Sequence, residues 1–541
     1  MLKKQLILLS LMLVILLVFS ACGTDDEVVD EVPNGIDDET PVEPGEPVET
    51  EIVEVAVTAE PASFDWHAMT AAATQQPAVQ IYETLYALDR NFVGVPMLAA
   101  DYPEISDDNK EYIIPLREGV MFHNGEEMTA EDVVASLERW GELSRGGGRM
   151  FQYVDAIEIL DEYTIKIDFL QPYAPMVNTI ATPVQASGIM PKSVIDVVGS
   201  EVIEEDEYII GTGPYKLARW ERGSHYLLER FEDYSVLDSD DGGLAGQKIA
   251  YAKEVKVNFA SDPSVRLNGL LTDMYDYVEE LAGEDMSTIE NAGYVTQIVK
   301  PYYNRIAVLN TSKPPFDDPM IRKAAALAVD CEQVMLSITG HPDLYELDGA
   351  IYMPEHKALY TEAGTEDYNA NDIDRASQLL EEAGYAGEPV VFFTTRTYDW
   401  QIKASNVVVS NLTSAGFNIQ TEVMEWTTLL ERRGDIESWD VVQTALGAGY
   451  MEPGTILYFT GSWPFEGFYA KDDKVDNLLS EWNEAFSPEE RISLIEAMQI
   501  QLYEDQPIIK YGNEFLLNGY SPNLEENMEF YQPTFWNMWL N

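Results

Sequence analysis

With 541 residues and 46% apolar side chains, the chain has ample material for roughly two to four packed domains. Its formal charge of −62 excludes nucleic acid as a natural partner, because phosphate contacts need Lys and Arg, and it repels an anionic membrane surface. Such a surface stays well hydrated in a salty or alkaline exterior; the other reading of the field is an attraction for cationic ligands.

At the N-terminus, Lys3 and Lys4 precede an apolar run from Leu6 to Phe19, followed by Ser20, Ala21 and Cys22. A positive start, a short apolar run and small residues before a cleavage point describe a secretory signal, and the run is shorter than the about 20 residues a spanning helix needs. The placing of Cys22 resembles the bacterial lipoprotein signal, with Phe19 where that pattern usually has Leu. The resemblance implies a signal peptide over residues 1–21, a lipid on Cys22 and a mature chain tethered outside the cytoplasmic membrane. Cys22 then has no disulfide to make with Cys331, which reads as a small core residue. Residues 22–53 are acidic, Pro-rich and free of Lys and Arg beyond the signal, so self-repulsion and missing apolar mass predict an extended, disordered tether.

The folded body starts near Glu54 with the strand-like EVAVTAE. A loop carrying Phe64, Asp65, Trp66 and His67 follows, and Gln76 or Pro77 is expected to open a helix through Ile81, Leu85 and Leu88. His67 beside carboxylates raises the question of metal, but the chain has 5 His and none stands in an HExxH or paired-ligand spacing, so no metal site is assigned. Tyr112 to Leu116 reads as a strand, and Asn124-Gly125 as a turn. Thr129 with Asp132 forms a capping box for a helix burying Val133, Val134, Leu137 and Trp140. SRGGGRM, from Ser144, lacks the Lys-Ser/Thr ending of a phosphate loop and reads as a flexible connector. IEILDEYTIKIDFL alternates across a turn as a β-hairpin, and GTGPYKLARWERGSHYLLERF, from Gly211, is a Gly-punctuated turn followed by two strands.

Arg305 to Asp330 changes period across a Pro-rich turn. Ile306 to Leu309 is a continuous apolar run, as expected of a strand covered on both faces, and Lys313-Pro314-Pro315 cannot continue it. Asp318 is a good N-cap and Pro319 a good first helical residue, with Met320, Ala324, Leu327 and Cys331 near one face. Further on, DRASQLLEEAGY is a helix with a Gly C-cap, PVVFFTT a buried strand, and a helix near Ile402 to Ser414 with the strand FNIQTEV completes a βαβ unit.

Three blocks, FHNGEEMTAEDVVASLERW, GTGPYKLARWERGSHYLLERF and LNTSKPPFDDPMIRKAAALAVD, occur in the order found in family 5 of the ABC-transporter solute-binding proteins, the oligopeptide, dipeptide and nickel group, and the chain resembles that family. The resemblance implies an α/β fold of the periplasmic-binding-protein type II, with two lobes joined at a hinge and an extra domain on lobe one. Lobe one is expected from residues 54–89, 206–300 and 505–541, the extra domain from 90–205 and lobe two from 301–504. It further implies a monomeric receptor without cofactor or catalytic residues, delivering a peptide to a permease and its ATPase. A small non-peptide solute such as a sugar or a nickel chelate is the alternative. A membrane-anchored hydrolase finds no GxSxG elbow or zinc signature in the chain.

For the ligand, peptide-binding members place an Asp before a D/E-P pair to hold the α-ammonium. In LGAGYMEP that position matches Gly449, with Glu452-Pro453 as the pair, which leaves Glu452, Glu425 or another acid to take the role. Arg396, in Thr395-Arg396-Thr397-Tyr398, resembles the arginine that pairs the ligand carboxylate in dipeptide-binding members, and a bidentate contact suits it; an ordinary surface ion pair is the other reading. Trp66, Trp426, Tyr450 and Trp463 are aromatic candidates for the cleft, and Tyr302, Tyr303 and Asn304 are further candidates near the lobe crossing.

Overall fold

The computed structural model describes residues 48–447, 451–456, 473–525 and 533–541. Cys22, Gly449, Tyr450 and Trp463 lie outside the described residues. Among the described residues no helix is long and apolar enough to cross a membrane.

Two long antiparallel strands, Val295–Leu309 and Ile508–Tyr520, organise the molecule. They form the middle of an eleven-stranded sheet among the described residues. On one side Ile508–Tyr520 pairs with Tyr277–Leu281, which leads through Thr50–Val57 and Ala252–Phe259 to the hairpin Tyr215–Glu221 and His225–Arg230. On the other side Val295–Leu309 pairs with Val441–Leu446, then Pro389–Thr395 and Asn418–Met424. The pairing of the long strands is interrupted between Val299 and Tyr303 and between Arg305 and Ile306. Their two ends thus serve different halves of an α/β fold, with the crossing at the interruption. Within residues 505–541, Ile508–Gly512 pairs with the stretch Arg305–Val308 that also pairs with Val441–Leu446.

Side-chain burial follows from this placement. Ile306 and Val308 enter one apolar cluster with Trp439, Val442 and Leu502, whereas Ala307 and Leu309 enter another with Ala324, Phe392 and Val408. A strand with both faces covered needs a continuous apolar run, which is how this segment reads. Asp318 caps the following helix, Pro319–Ala328, accepting from Met320 N at 2.8 Å. The helix ends earlier than the spacing suggests: Cys331 begins a second helix, Cys331–Thr339, and Met320 is exposed. Cys331 is buried. The βαβ unit is present as parallel strands Pro389–Thr395 and Asn418–Met424 around the helix Asp399–Ala415, closed by left-handed Gly416.

An accessory four-stranded antiparallel sheet contains the hairpin Val154–Asp161 and Thr164–Phe169. The helix Ala130–Leu143 packs nearby, with the Thr129–Asp132 capping box formed and Thr129 N donating to Asp132 Oδ2 at 2.8 Å.

Several expectations are corrected. The run from Ser144 is a helix, Arg145–Phe151, and not a flexible connector; Ser144 caps it, and a Cβ on Gly147 would sit 2.4 Å from the carbonyl oxygen of Trp140, so glycine permits close packing here. The helix expected from Gln76 or Pro77 begins at Ala72 and stops at Ile81, while Tyr86–Leu88 is a strand. Residues 50–53, expected in the tether, are strand: Thr50 to Val53 pair with Ala252 to Val255.

Candidate ligand-binding cavity

Where the long strands cross, a cavity of about 500 Å³ opens between the two halves. That volume falls in the range of small-ligand sites, about 300–1,000 Å³. The first half contributes Thr58, Gln76, Glu279 and Glu280; the long strands contribute Tyr302, Tyr303, Arg305, Glu514 and Asn518; the second half contributes Tyr398 and Trp400. The walls are therefore aromatic and amide-bearing, with three carboxylates set against one guanidinium.

Local backbone structure explains how two consecutive glutamates reach one space. Strand residues normally alternate between faces. The register of Tyr277–Leu281 against Ile508–Tyr520 shifts between Val278 and Leu281, and Glu280 takes a left-handed conformation at φ 49°. A bulge of this kind re-aims side chains. Glu280 N is held by Asn518 Oδ1 at 3.0 Å, and its carboxylate accepts from Thr58 Oγ1 at 2.8 Å and Tyr302 OH at 3.4 Å. Gln76 Nε2 donates to Glu279. Burial, reinforced by the charge of Glu280, pushes the Glu279 carboxyl up to about 8, against the opposing pull of Arg266.

Arg305 and Glu514 form a buried ion pair on the two long strands. The Arg305 guanidinium lies 4.1 Å from the Trp400 ring centre and 5.4 Å from that of Tyr303. Burial raises the Glu514 carboxyl above its ordinary range, Arg305 opposes that rise, and Glu280 adds to it.

The sequence candidates divide. Tyr302 and Tyr303 line the cavity, whereas Asn304 is buried and donates to Ile351 O at 3.0 Å. Trp426 touches its edge indirectly, edge-on to Tyr398 with ring centres 5.1 Å apart. Arg396 is exposed and does not line the cavity. Trp66 is buried in the core of the first half, its Nε1 donating to Pro183 O at 2.8 Å, so its apolar ring is accounted for by packing. Glu452 is buried away from the cavity and accepts from Trp482 Nε1 at 2.9 Å; burial raises its carboxyl, with Arg491 opposing. Glu279, Glu280, Arg305, Trp400 and Glu514 escaped the sequence reading; the one signal for them was the adjacent pair of acids at the end of a strand-like DYVEEL.

The second half also meets the chain flanking the accessory sheet. Ala174 N donates to Asn483 O at 2.7 Å, and Asn483 Nδ2 donates to Tyr153 OH at 3.0 Å. The cavity is thus held between halves that touch beyond the crossing strands.

Comparison with known proteins agrees with this architecture. The family model described as bacterial extracellular solute-binding proteins, family 5 Middle, matches residues 94–465. The chain is 27% identical over 500 residues to the probable peptide ABC transporter periplasmic-binding protein y4tO of Sinorhizobium fredii, covering 88% of this chain and 91% of that one. It is 24% identical over 486 residues to the glutathione-binding protein GsiB of Escherichia coli K12, covering 83% and 86%. Its fold matches that of DppA from Helicobacter pylori in complex with the peptide STSA at a TM-score of 0.73 and 22% identity, covering 91% of this chain and 98% of the other. The chain belongs to family 5 of the bacterial extracellular solute-binding proteins, with the mixed α/β, two-lobe fold of that family.

Proposed function

We propose that this protein is the extracytoplasmic receptor of an ABC importer, capturing short peptides at the crossing strands and handing them to the permease. The observation that carries the reading is the cavity of about 500 Å³ built jointly by both halves, because a ligand touching Glu280 on one side and Trp400 on the other favours their closure. The peptide complexes and peptide-transport names among its relatives support the ligand class. Amide and hydroxyl groups such as Asn518, Gln76 and Thr58 suit a peptide backbone, while aromatic walls accept varied side chains.

The same reading places a lipid on Cys22 and the folded body outside the cytoplasmic membrane, on the strength of the Ser20-Ala21-Cys22 sequence. Cys22→Ser should release the chain from the membrane fraction, and continued retention contradicts lipid anchoring.

Native mass spectrometry of the purified chain mixed with an equimolar set of di- to tetrapeptides tests the capture. One bound peptide per chain, recovered unchanged after incubation, is the expected result. Failure to retain any peptide, or its conversion to a product, contradicts it.

A further inference from the structure

The crossing strands have a second face. Tyr303, Arg305 and Glu514 line the cavity, so by strand alternation Asn304 and Asn513, which stand opposite each other in the pairing, belong to the reverse side. On the other edge of the same strand, Asn513 pairs with Glu346 of the short strand Tyr345–Glu346. Asn304, Asn513 and Glu346 therefore form a row across three strands, with neighbouring Cβ atoms about 5 Å apart. Asp348 reaches the same amide: Asn513 Nδ2 lies 3.4 Å from Asp348 Oδ2 and 3.5 Å from Glu346 Oε2. Both distances are long for a hydrogen bond to a carboxylate.

The oxygens of the two amides are an independent observation. Asn304 and Asn513 are each 0% exposed, and the Oδ1 of each has no hydrogen-bond partner among the described residues. A buried amide oxygen of this kind calls for a donor or an ion. Asn304 Nδ2 is already used, donating to Ile351 O at 3.0 Å. A half-turn of the Asn513 amide exchanges its two ends, aiming Oδ1 at the carboxylates of Glu346 and Asp348 and Nδ2 toward Asn304. Two carboxylates and an amide oxygen repel one another unless a cation sits between them. Lys510 offsets part of this charge from nearby, but its Nζ is committed to Ala350 O. Glu355, whose Oε2 is buried and without a partner among the described residues, adds a further acid; burial raises its carboxyl, Glu346 and Asp348 reinforce the rise and Lys300 opposes it.

Among the described residues no three His, Cys, Asp or Glu side chains could by themselves hold a metal ion, so the amide oxygen is what completes this position. We infer that Glu346, Asp348 and the Asn513 amide oxygen bind a calcium ion on the reverse face of the crossing strands, with Asn304 orienting the Asn513 amide. Every donor is an oxygen, the set that a hard cation takes. Calcium tolerates irregular coordination and completes it with water, which reaches the half-buried Glu346 and Asp348, whereas magnesium demands a near-ideal octahedron. The ion ties the Tyr345–Glu346 segment to the crossing strands. The inference is independent of what the cavity on the other face captures.

The test is calorimetric titration of calcium chloride into the whole chain after dialysis against EDTA, at fixed ionic strength. One calcium per chain should bind with a Kd of about 0.1–1 mM, the range of extracellular calcium modules, above the diffuse background of so acidic a surface. Glu346→Gln with Asp348→Asn should weaken that step by about ten-fold or more, the loss of the charged ligands. Glu204→Gln with Glu205→Gln removes the same charge from two exposed positions and should leave the step within about two-fold. Absence of a saturable step, its survival in the first variant, or an equal step with magnesium chloride overturns the site and assigns the heat to screening of surface charge. Circular dichroism checks that both variants fold. Should the first not fold, anomalous scattering from wild-type crystals grown in calcium chloride decides: a calcium peak between Asn513 and Glu346 supports the site, and a water in its place overturns it.

Discussion

Phe92 lies face to face with His356, their ring centres 5.6 Å apart and their planes 19° from parallel. Phe92 is the left-handed tip, at φ 63°, of the hairpin between Tyr86–Leu88 and Gly94–Pro96, whereas His356 comes from the second half, with Tyr352 edge-on to it at 5.1 Å. Both residues are buried, so an aromatic contact joins the halves at a distance from the ligand cavity. Phe92→Ala should lower stability by about 3 kcal/mol, the usual loss for a buried phenyl ring. It should also expand the ligand-free chain in small-angle scattering. An unchanged radius of gyration would show that the contact does not hold the halves together.

The pH dependence of stability should have two sides. Burial holds His67, His123 and His356 at about 4, below the ordinary imidazole value of 6.5. The unfolded chain takes up those protons first, so their contribution is present above pH 6.5 and is lost as pH falls toward 4. Glu279 acts in the opposite sense: raised from 4.5 to about 8, it is protonated in the folded state where the unfolded chain is ionised. Stability from this group is present below pH 4.5 and is lost as pH rises through 8. Thermal melts of the ligand-free chain should therefore peak in the mildly acidic range. Glu279→Gln should flatten the alkaline fall; a fall of unchanged steepness would assign it to repulsion among the other acids.

Arg305 and Glu514 should be separable into structural and ligand roles. Glu514→Ala leaves a buried guanidinium unpaired and should cost about 3 to 5 kcal/mol. The double variant Arg305→Met with Glu514→Leu should recover most of that stability in denaturant unfolding, because apolar residues of similar size can replace a buried pair. Peptide binding should nevertheless remain weaker than in the wild type. Arg396→Ala, at an exposed position outside the cavity, should leave affinity within about two-fold, since surface charges make small contributions. A loss of about ten-fold would instead return the carboxylate contact to Arg396.

Much of the architecture is written locally. The apolar run Ile306 to Leu309 is divided face by face between two cores, Thr129 and Asp132 form their capping box, and Gly384 and Gly416 end their helices in left-handed conformations. Those signals act within a few residues, where period and cap chemistry decide the outcome. The glycine run from Ser144 misleads because its helix is stabilised by packing on Trp140, which propensity alone cannot reveal.

The cavity is harder to read for a different reason. Thr58 and Glu280 are 222 residues apart yet share a hydrogen bond, and the pairing of Arg305 with Glu514 depends on the register of two distant strands. Glu279 and Glu280 in sequence suggest one inward and one outward side chain, and only the bulge places both on the cavity. Trp66 shows the converse: an aromatic residue in a polar loop is packed into the core by the elements that fold over it. Tyr302 and Tyr303 were accessible because they adjoin the apolar strand that marks the crossing.

A crystal structure of the chain with a retained tripeptide tests the central claim most directly. The peptide should occupy the cavity at the crossing strands, in contact with Glu280 from one half and Trp400 from the other. A peptide seated elsewhere, with this cavity still solvent-filled, would contradict the account.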